Sequence, residues 1–383
     1  MTPAGPSTRA RVLVVEDGRT PYVLAAVRAL GRAGFDVGLG SAEGGRASRS
    51  RWVGAVHSVP GPERGVEEFA AAVADAVRDG GYDLAFGGDD AEMLALSAVR
   101  ECLPCLIPHA PHEVVLRAVD KLELARAAER CGLRTPHTVA ATTRAIAETP
   151  LPVIVKSRLH WTPGRAAGIR HLLVSRCDDR AGVERGVAEM AAAGGEAVLQ
   201  EPIDGELMAL SAVIDESGNA LAWAQQRTLR ASLRRTSARA ETVTLDQDLA
   251  RRAATLLGDL GWYGLANLQF LRPDGGEPKL IDLNGRFYGS IALAIAAGVN
   301  LPAIWADLAL GRPPPEPVLA RPGARFQGLL TDLRRARRER RGGLLRDVLD
   351  TAVYAPRAAH SCLSVRDPRP VAYELRRLAH ELR

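Results

Sequence analysis

The segment GLANLQFLRPDGGEPKLIDLNGRFYGS, residues 264–290, alternates apolar and polar residues on both sides of RPDGGEP, a run dense in turn formers. Such a pattern predicts a β-hairpin. A turn centred between Gly275 and Gly276 sets Gln269 opposite Asp282. Strand side chains alternate, so Leu268, Phe270, Ile281 and Leu283 fall on one face and Asn267, Gln269, Asp282 and Asn284 on the other. A face with four oxygen-bearing groups is either a wet polar surface or a seat for a hard cation. Mg²⁺ takes oxygen ligands, usually with one or two carboxylates, and completes its shell with water and phosphate oxygens. The residues after the hairpin favour the cation. Arg286, Gly289 and Ser290 place a guanidinium, a residue without a Cβ and a hydroxyl at its exit. The guanidinium can neutralise phosphate oxygens in a bidentate contact, or else make a surface salt bridge.

Only three of the 50 basic residues are lysines: Lys121, Lys156 and Lys279. Where lysine persists in an arginine-biased chain, a compact ammonium on a flexible stem is expected to matter, as it does at a phosphate. Lys121 and Lys156 are the candidates.

At 383 residues, with 46% hydrophobic and 25% charged, the chain is expected to fold into two or three domains, each with its own core. The first hundred residues alternate in the α/β manner. RVLVV (11–15), DVGLG (36–40) and DLAF (83–86) read as strands, with helical stripes over 22–32, 66–77 and 91–102. A parallel sheet covered by helices follows. Its first strand-to-helix turn, VVEDGRTPY, has no GxGxxG, which argues against a dinucleotide site.

A domain boundary is expected near 111–120. Beyond it Asp120 caps a helix, PVIVK (152–156) and AVLQE (197–201) read as strands, and HWTPGRAAGIR reads as a loop. The tail from 311 opens GRPPPEP and continues with arginine and leucine at helical spacing, as a helical extension packed on the core or on a partner subunit.

Several function classes are excluded by what the sequence lacks. Of five cysteines only Cys102 and Cys105 are close, half a zinc site at most, and the eight histidines lack metal spacing. No GxSxG or other nucleophile motif occurs. No run of about 18 apolar residues is present, so a cytoplasmic protein without membrane contact is expected. The net charge of +5 raises the question of nucleic acid, but the basic stretches at 227–235 and 333–341 carry no interleaved aromatics, and no nucleic-acid partner is expected.

Taken together these residues resemble the ATP-grasp superfamily, especially members similar to the large subunit of carbamoyl phosphate synthetase and to carboxylate–amine ligases. The resemblance spans about residues 11–310. It implies an α/β and α+β architecture: a disordered tail (1–9), an N-terminal preATP-grasp domain with a parallel sheet (10–115), a small ATP-grasp subdomain (116–200), a larger C-terminal one (201–310) and the helical extension (311–383). It also implies the cofactors ATP and Mg²⁺, with ATP held by Lys121, Lys156, Glu201, Pro202, Ile203, Glu206 and Gln269. In that scheme backbone groups of Glu201 and Ile203 meet the adenine edge, and Glu206 reaches the ribose. The metal would lie on Gln269, Asp282 and Asn284, with Arg286 and Lys156 catalytic and Arg227, Arg230, Arg286, Gly289 and Ser290 facing the substrate.

Three departures qualify the match. Gln269 replaces the commoner Glu, so Asp282 is the only carboxylate of the triplet. The loop 160–170, with Gly164 and Gly168 as lid residues, is less glycine-rich than a usual phosphate lid. The segment 225–241 lacks the paired glycines of a typical substrate loop. The implied activity is an ATP-dependent carboxylate–amine ligase that forms an amide or peptide bond through an acyl phosphate, with small, amino-acid-like acids and amines as partners and a homodimer as the expected assembly. The alternatives are a carboxylase or carbamoyl-phosphate-type enzyme of the same superfamily, and an ATP-binding regulatory protein without turnover.

Overall fold

The structure is a computed structural model and describes residues 9–159, 174–231 and 236–381. Strand β1 (Arg11–Val15), helix α1 (Pro21–Arg32), β2 (Asp36–Gly40), β3 (Val53–His57), α2 (Val66–Gly80), β4 (Leu84–Gly87) and α3 (Asp90–Ala98) form the first unit. Its strands are parallel in the order β3-β2-β1-β4. Val12 to Val15 are almost fully buried, as expected of a strand covered by helices on both faces. The order reverses between β1 and β4, and in open α/β sheets ligands collect at the carboxyl ends of such a pair.

Helix α4 (His112–Val119) occupies the stretch expected to be a boundary, where Val115, Ala118 and Val119 are buried. Asp120 then caps α5 (Lys121–Arg130), its carboxylate accepting from the backbone N–H of Leu122 at 2.9 Å and of Glu123 at 3.3 Å. The second unit comprises β5 (Thr138–Ala140), α6 (Thr143–Glu148), β6 (Val153–Ser157), β7 (Val174–Cys177), α7 (Arg180–Ala192) and β8 (Ala197–Gln200). Its antiparallel sheet runs β5-β8-β6-β7 over a small core of Val153, Val155, Val183 and Leu199.

The largest sheet is built from β9 (Glu206–Ile214), β10 (Ala220–Ala231), β11 (Ser237–Thr242), and, after α8 (Gln247–Leu260), the hairpin β12 (Gly264–Arg272) and β13 (Lys279–Asn284). Helices α9 (Ile291–Ala296) and α10 (Leu301–Ala309) lead into the tail. The tail is not purely helical. Strands β14 (Val318–Leu319) and β15 (Arg325–Gln327) pair with β10 and β11 before α11 (Leu329–Glu339), α12 (Leu344–Tyr354) and α13 (Arg369–Glu381) begin. Strands this short carry no readable alternation, so only the open sheet edge reveals them.

Trp305 of α10 is fully buried against Phe86 and Phe287, with its indole N–H on the carbonyl of Pro108 at 2.6 Å, and so locks the first unit to the large sheet. Buried ion pairs fix the tail. Arg335 holds Asp332 at 2.8 Å and Asp347 at 2.7 Å, Asp332 also accepts from Arg239 at 2.5 Å, and Arg28 reaches Asp367 at 2.8 Å.

Candidate functional site

The hairpin register is as expected at its site end: Asn267 pairs with Asn284, Leu268 with Leu283 and Gln269 with Asp282. Beyond Gln269 a bulge shifts the pairing to Phe270 with Leu280. The extra residue is Ile281, and this overturns one expectation. Leu280, not Ile281, joins Leu268, Phe270 and Leu283 in the core, whereas Ile281 turns to the opposite side with Leu271, Ile203 and Leu207. A bulge reverses the face of every residue beyond it.

A cavity of about 1180 Å³ opens along this face, between the small sheet, the hairpin, the carboxyl end of the parallel sheet and the tail. It exceeds the roughly 300–1,000 Å³ of a typical single-ligand site and has room for more than one molecule. Asn267, Gln269, Ile281, Asp282 and Asn284 line it from the hairpin, Lys121 lines it from α5, and Ile154 and Lys156 line it from the second unit.

The two lysines converge on the hairpin. Lys121, set at the first turn of α5 by the Asp120 cap, places its ammonium 2.6 Å from the Asp282 carboxylate, with the lysine side chain only 3% exposed. Lys156, at the end of β6, donates to the carbonyl of Ile281 at 3.2 Å, so the bulge supplies its acceptor. Burial, helped by the nearby Lys121, pushes the Lys156 ammonium down to about 7 despite the opposing pull of Asp282. A buried amine in that state gains from an arriving anion. Next to it, Ile203, Leu207, Leu271 and Ile281 form an apolar patch on the same cavity. Gly205 belongs to this region, because a Cβ there would come within 2.2 Å of the carbonyl oxygen of Arg272.

Arg286, also on the cavity wall, is clasped by Asp90 at 2.9 Å and Asp89 at 3.2 Å and lies over the ring of Tyr22, 5.4 Å from its centroid. Burial alone would lower the guanidinium, but Asp90, Tyr22 and Asp89 outweigh it and hold it well above the ordinary range. Ser290 donates to Gln226 at 2.9 Å, and Gly289 sits beside it on the cavity wall.

Not every expected residue reaches the cavity. Glu201 and Ile203 line it, but Pro202 and Glu206 do not, since the chain turns there into β9. The backbone N–H of Glu201 is already donated to the carbonyl of His137 at 2.9 Å, so it is not available to a nucleotide edge. Arg227 is exposed and pairs with Glu241 at 2.6 Å. Arg230 points away to Asp350 at 2.7 Å and Asp347 at 3.4 Å, and neither arginine lines the cavity. β10 is bulged at this point, which decides the direction of its side chains. Gly164 and Gly168 lie outside the described residues. Tyr22, Asp89, Asp90 and Gln226 were not anticipated. The acid pair in GGDDAE was legible in principle, because it follows a parallel strand at its carboxyl end.

Three solved structures share this architecture. The biotin carboxylase domain of 2-oxoglutarate carboxylase from Hydrogenobacter thermophilus, in complex with MgADP, ADP and bicarbonate, matches with a TM-score of 0.65 at 15% identity, over 82% of this chain and 73% of that one. L-amino acid ligase from Bacillus licheniformis matches at 0.59 and 17%, over 80% and 75%. N5-carboxyaminoimidazole synthetase from Staphylococcus aureus matches at 0.61 and 11%, over 80% and 79%. The model of the family described as ATP-grasp in the biosynthetic pathway with Ter operon matches residues 216–331. The chain has the ATP-grasp fold. The family match runs from the turn before β10 to the start of α11 and includes the whole hairpin. No curated protein matches the sequence. Among the described residues no helix is long and apolar enough to cross a membrane.

The residues also bear on a cation. Among the described residues no three His, Cys, Asp or Glu side chains cluster as a self-sufficient metal site. Gln269, Asp282 and Asn284 offer three oxygen donors with a single carboxylate, a set that suits a Mg²⁺ ion sharing its shell with phosphate oxygens.

Proposed function

We propose that this ATP-grasp protein is an ATP- and Mg²⁺-dependent ligase that joins a carboxylate to an amine. The observation that carries the proposal is the convergence of Lys121 and Lys156 on the Asp282 face of the hairpin, in a cavity that Arg286, Ser290 and the tail also line.

In this reading the apolar patch of Ile203, Leu207, Leu271 and Ile281 takes the adenine ring. Lys121 and Lys156 meet the phosphates, with the Lys121–Asp282 pair parting as the nucleotide enters. Gln269, Asp282 and Asn284 would hold Mg²⁺, which supplies charge neutralisation at the phosphates when bound. A substrate carboxylate oxygen attacks the γ-phosphorus, the bond to the β,γ-bridging oxygen breaks, and ADP leaves. Lys156 and Arg286 offset the charge that spreads over the transferring phosphoryl group. The amine then attacks the acyl carbon and loses a proton, and inorganic phosphate departs. Positioning and electrostatics are enough for this chemistry, and no protein nucleophile is required.

Phosphate release measured with ATP, MgCl₂ and pooled amino acids, followed by mass analysis of the products, tests the reading. A product heavier than either amino acid by the other less water supports it. Nucleotide binding without phosphate release across the pool would point instead to a regulatory protein.

A further inference from the structure

The tail beyond residue 311 does more than cover the fold. Two of its helices bury charged side chains in ion pairs and present leucines and a valine to the cavity, with Arg334 beside them. On α11, Asp332 and Arg335 point inward to Arg239 and Asp347, whereas Leu329, Leu330 and Leu333 line the cavity at helical spacing. On α13, Glu374 pairs with Arg46 of the first unit at 3.1 Å, both side chains being nearly fully buried, and this contact sets Val371 and Leu375, one turn apart, on the same cavity. Leu363, in the connection between them, completes the wall.

On an ordinary surface helix leucine faces the core, whereas on α11 the buried face holds Asp332 and Arg335, and Leu329, Leu330 and Leu333 stay part-exposed on the cavity. Ion pairs hold both helices in place, Arg239–Asp332 behind α11 and Arg46–Glu374 on the cavity wall beside Val371 and Leu375, so the helices cannot rotate without breaking one of them. Apolar surface held against a water-filled space gains when an apolar ligand displaces that water. The wall adjoins the exit of the hairpin, where Ser361 donates to the carbonyl of Gly289 at 3.3 Å, and Arg286, Gln226 and Ser290 line the same cavity.

We infer that the C-terminal tail builds a specificity pocket for a bulky apolar group, so that the substrate occupying this part of the cavity is an amino acid with a branched aliphatic or aromatic side chain. The inference rests on the ligase reading and names the substrate class for that site. Leu330 and Leu333 are its specificity-determining residues.

The test uses the full chain with ATP and MgCl₂ and every pairing of glycine, aspartate, leucine and phenylalanine, with phosphate release as the readout. Pairs containing leucine or phenylalanine should exceed those made only of glycine and aspartate by about tenfold or more. Leu333→Asp should bring that ratio to near one while leaving the nucleotide-induced rise in melting temperature unchanged. Leu330→Ala, which enlarges the pocket without adding charge, should move the preference from leucine toward phenylalanine and keeps the test decisive if Leu333→Asp does not fold. Release from the wild type that ignores side-chain size, or a preference that survives Leu330→Ala unaltered, overturns the inference and leaves the ligase reading standing. Absence of release with every pair overturns both.

Discussion

The ammonium of Lys121 lies 2.6 Å from the carboxylate of Asp282, across 161 positions of sequence. One residue opens a helix and the other sits on the second strand of a hairpin, and the contact joins α5 to the large sheet on the cavity wall. An ion pair this enclosed leaves neither charge uncompensated.

Replacing Asp282 by asparagine keeps the shape and one acceptor oxygen but removes the charge. Phosphate release should fall by about 100-fold or more, with the far-ultraviolet circular dichroism spectrum unchanged. Wild-type turnover in this variant would take Asp282 out of the metal site.

The three lysines should behave unequally. Charge-assisted hydrogen bonds contribute about 1.5–3 kcal/mol, so Lys156→Met should weaken ATP binding about 10- to 100-fold by calorimetry. Lys279, which pairs with Glu201 at 3.2 Å and does not line the cavity, should tolerate the same change within about twofold.

Arg335 is fully buried among Asp332, Asp347 and Glu339. Arg335→Ala takes from Asp347 its main partner and from Asp332 one of three, and should cost about 3–5 kcal/mol in urea unfolding. Replacing Arg335 and Asp347 together by leucine should cost less than Arg335→Ala alone, because no uncompensated charge is then left at Asp347.

Acid should expose the same network. Hydrogen bonding from Arg335 holds the Asp347 carboxyl at about 2, below its ordinary 3.8, and Asp332 is lowered as well, the bonds from Gln327, Arg239 and Arg335 overcoming its burial. A depressed folded-state value means that the stabilisation is complete above the unfolded value and drains away as pH falls through the folded one. The urea midpoint of the wild type should therefore drop between pH 3.8 and about 2, and the drop should be shallower in Asp347→Asn. Equal slopes would remove Asp347 from the acid response.

Arg227 pairs with Glu241 at the surface. Arg227→Ala should leave turnover within about twofold and stability within about 1 kcal/mol, as exposed pairs contribute little. A large rise in KM would instead bring this arginine to the substrate.

The sequence by itself determined the local framework. Period-two alternation around RPDGGEP fixed the hairpin and the pairing of Gln269 with Asp282, an aspartate before an apolar stripe fixed the cap at Asp120, and a run such as RVLVV could only be a covered strand. These features depend on neighbours a few residues away, and a linear chain displays them. Tertiary structure alone decided which residues share a cavity. The bulge that turns Ile281 outward, the inward turn of Arg230, the clasp of Asp89 and Asp90 on Arg286, and the leucines of the tail turned toward the cavity all depend on partners brought together by packing. Side-chain direction at a bulge or on a charged helix follows from which partner satisfies a buried charge, and that partner is distant in sequence for Arg230, Arg286 and Asp332 alike.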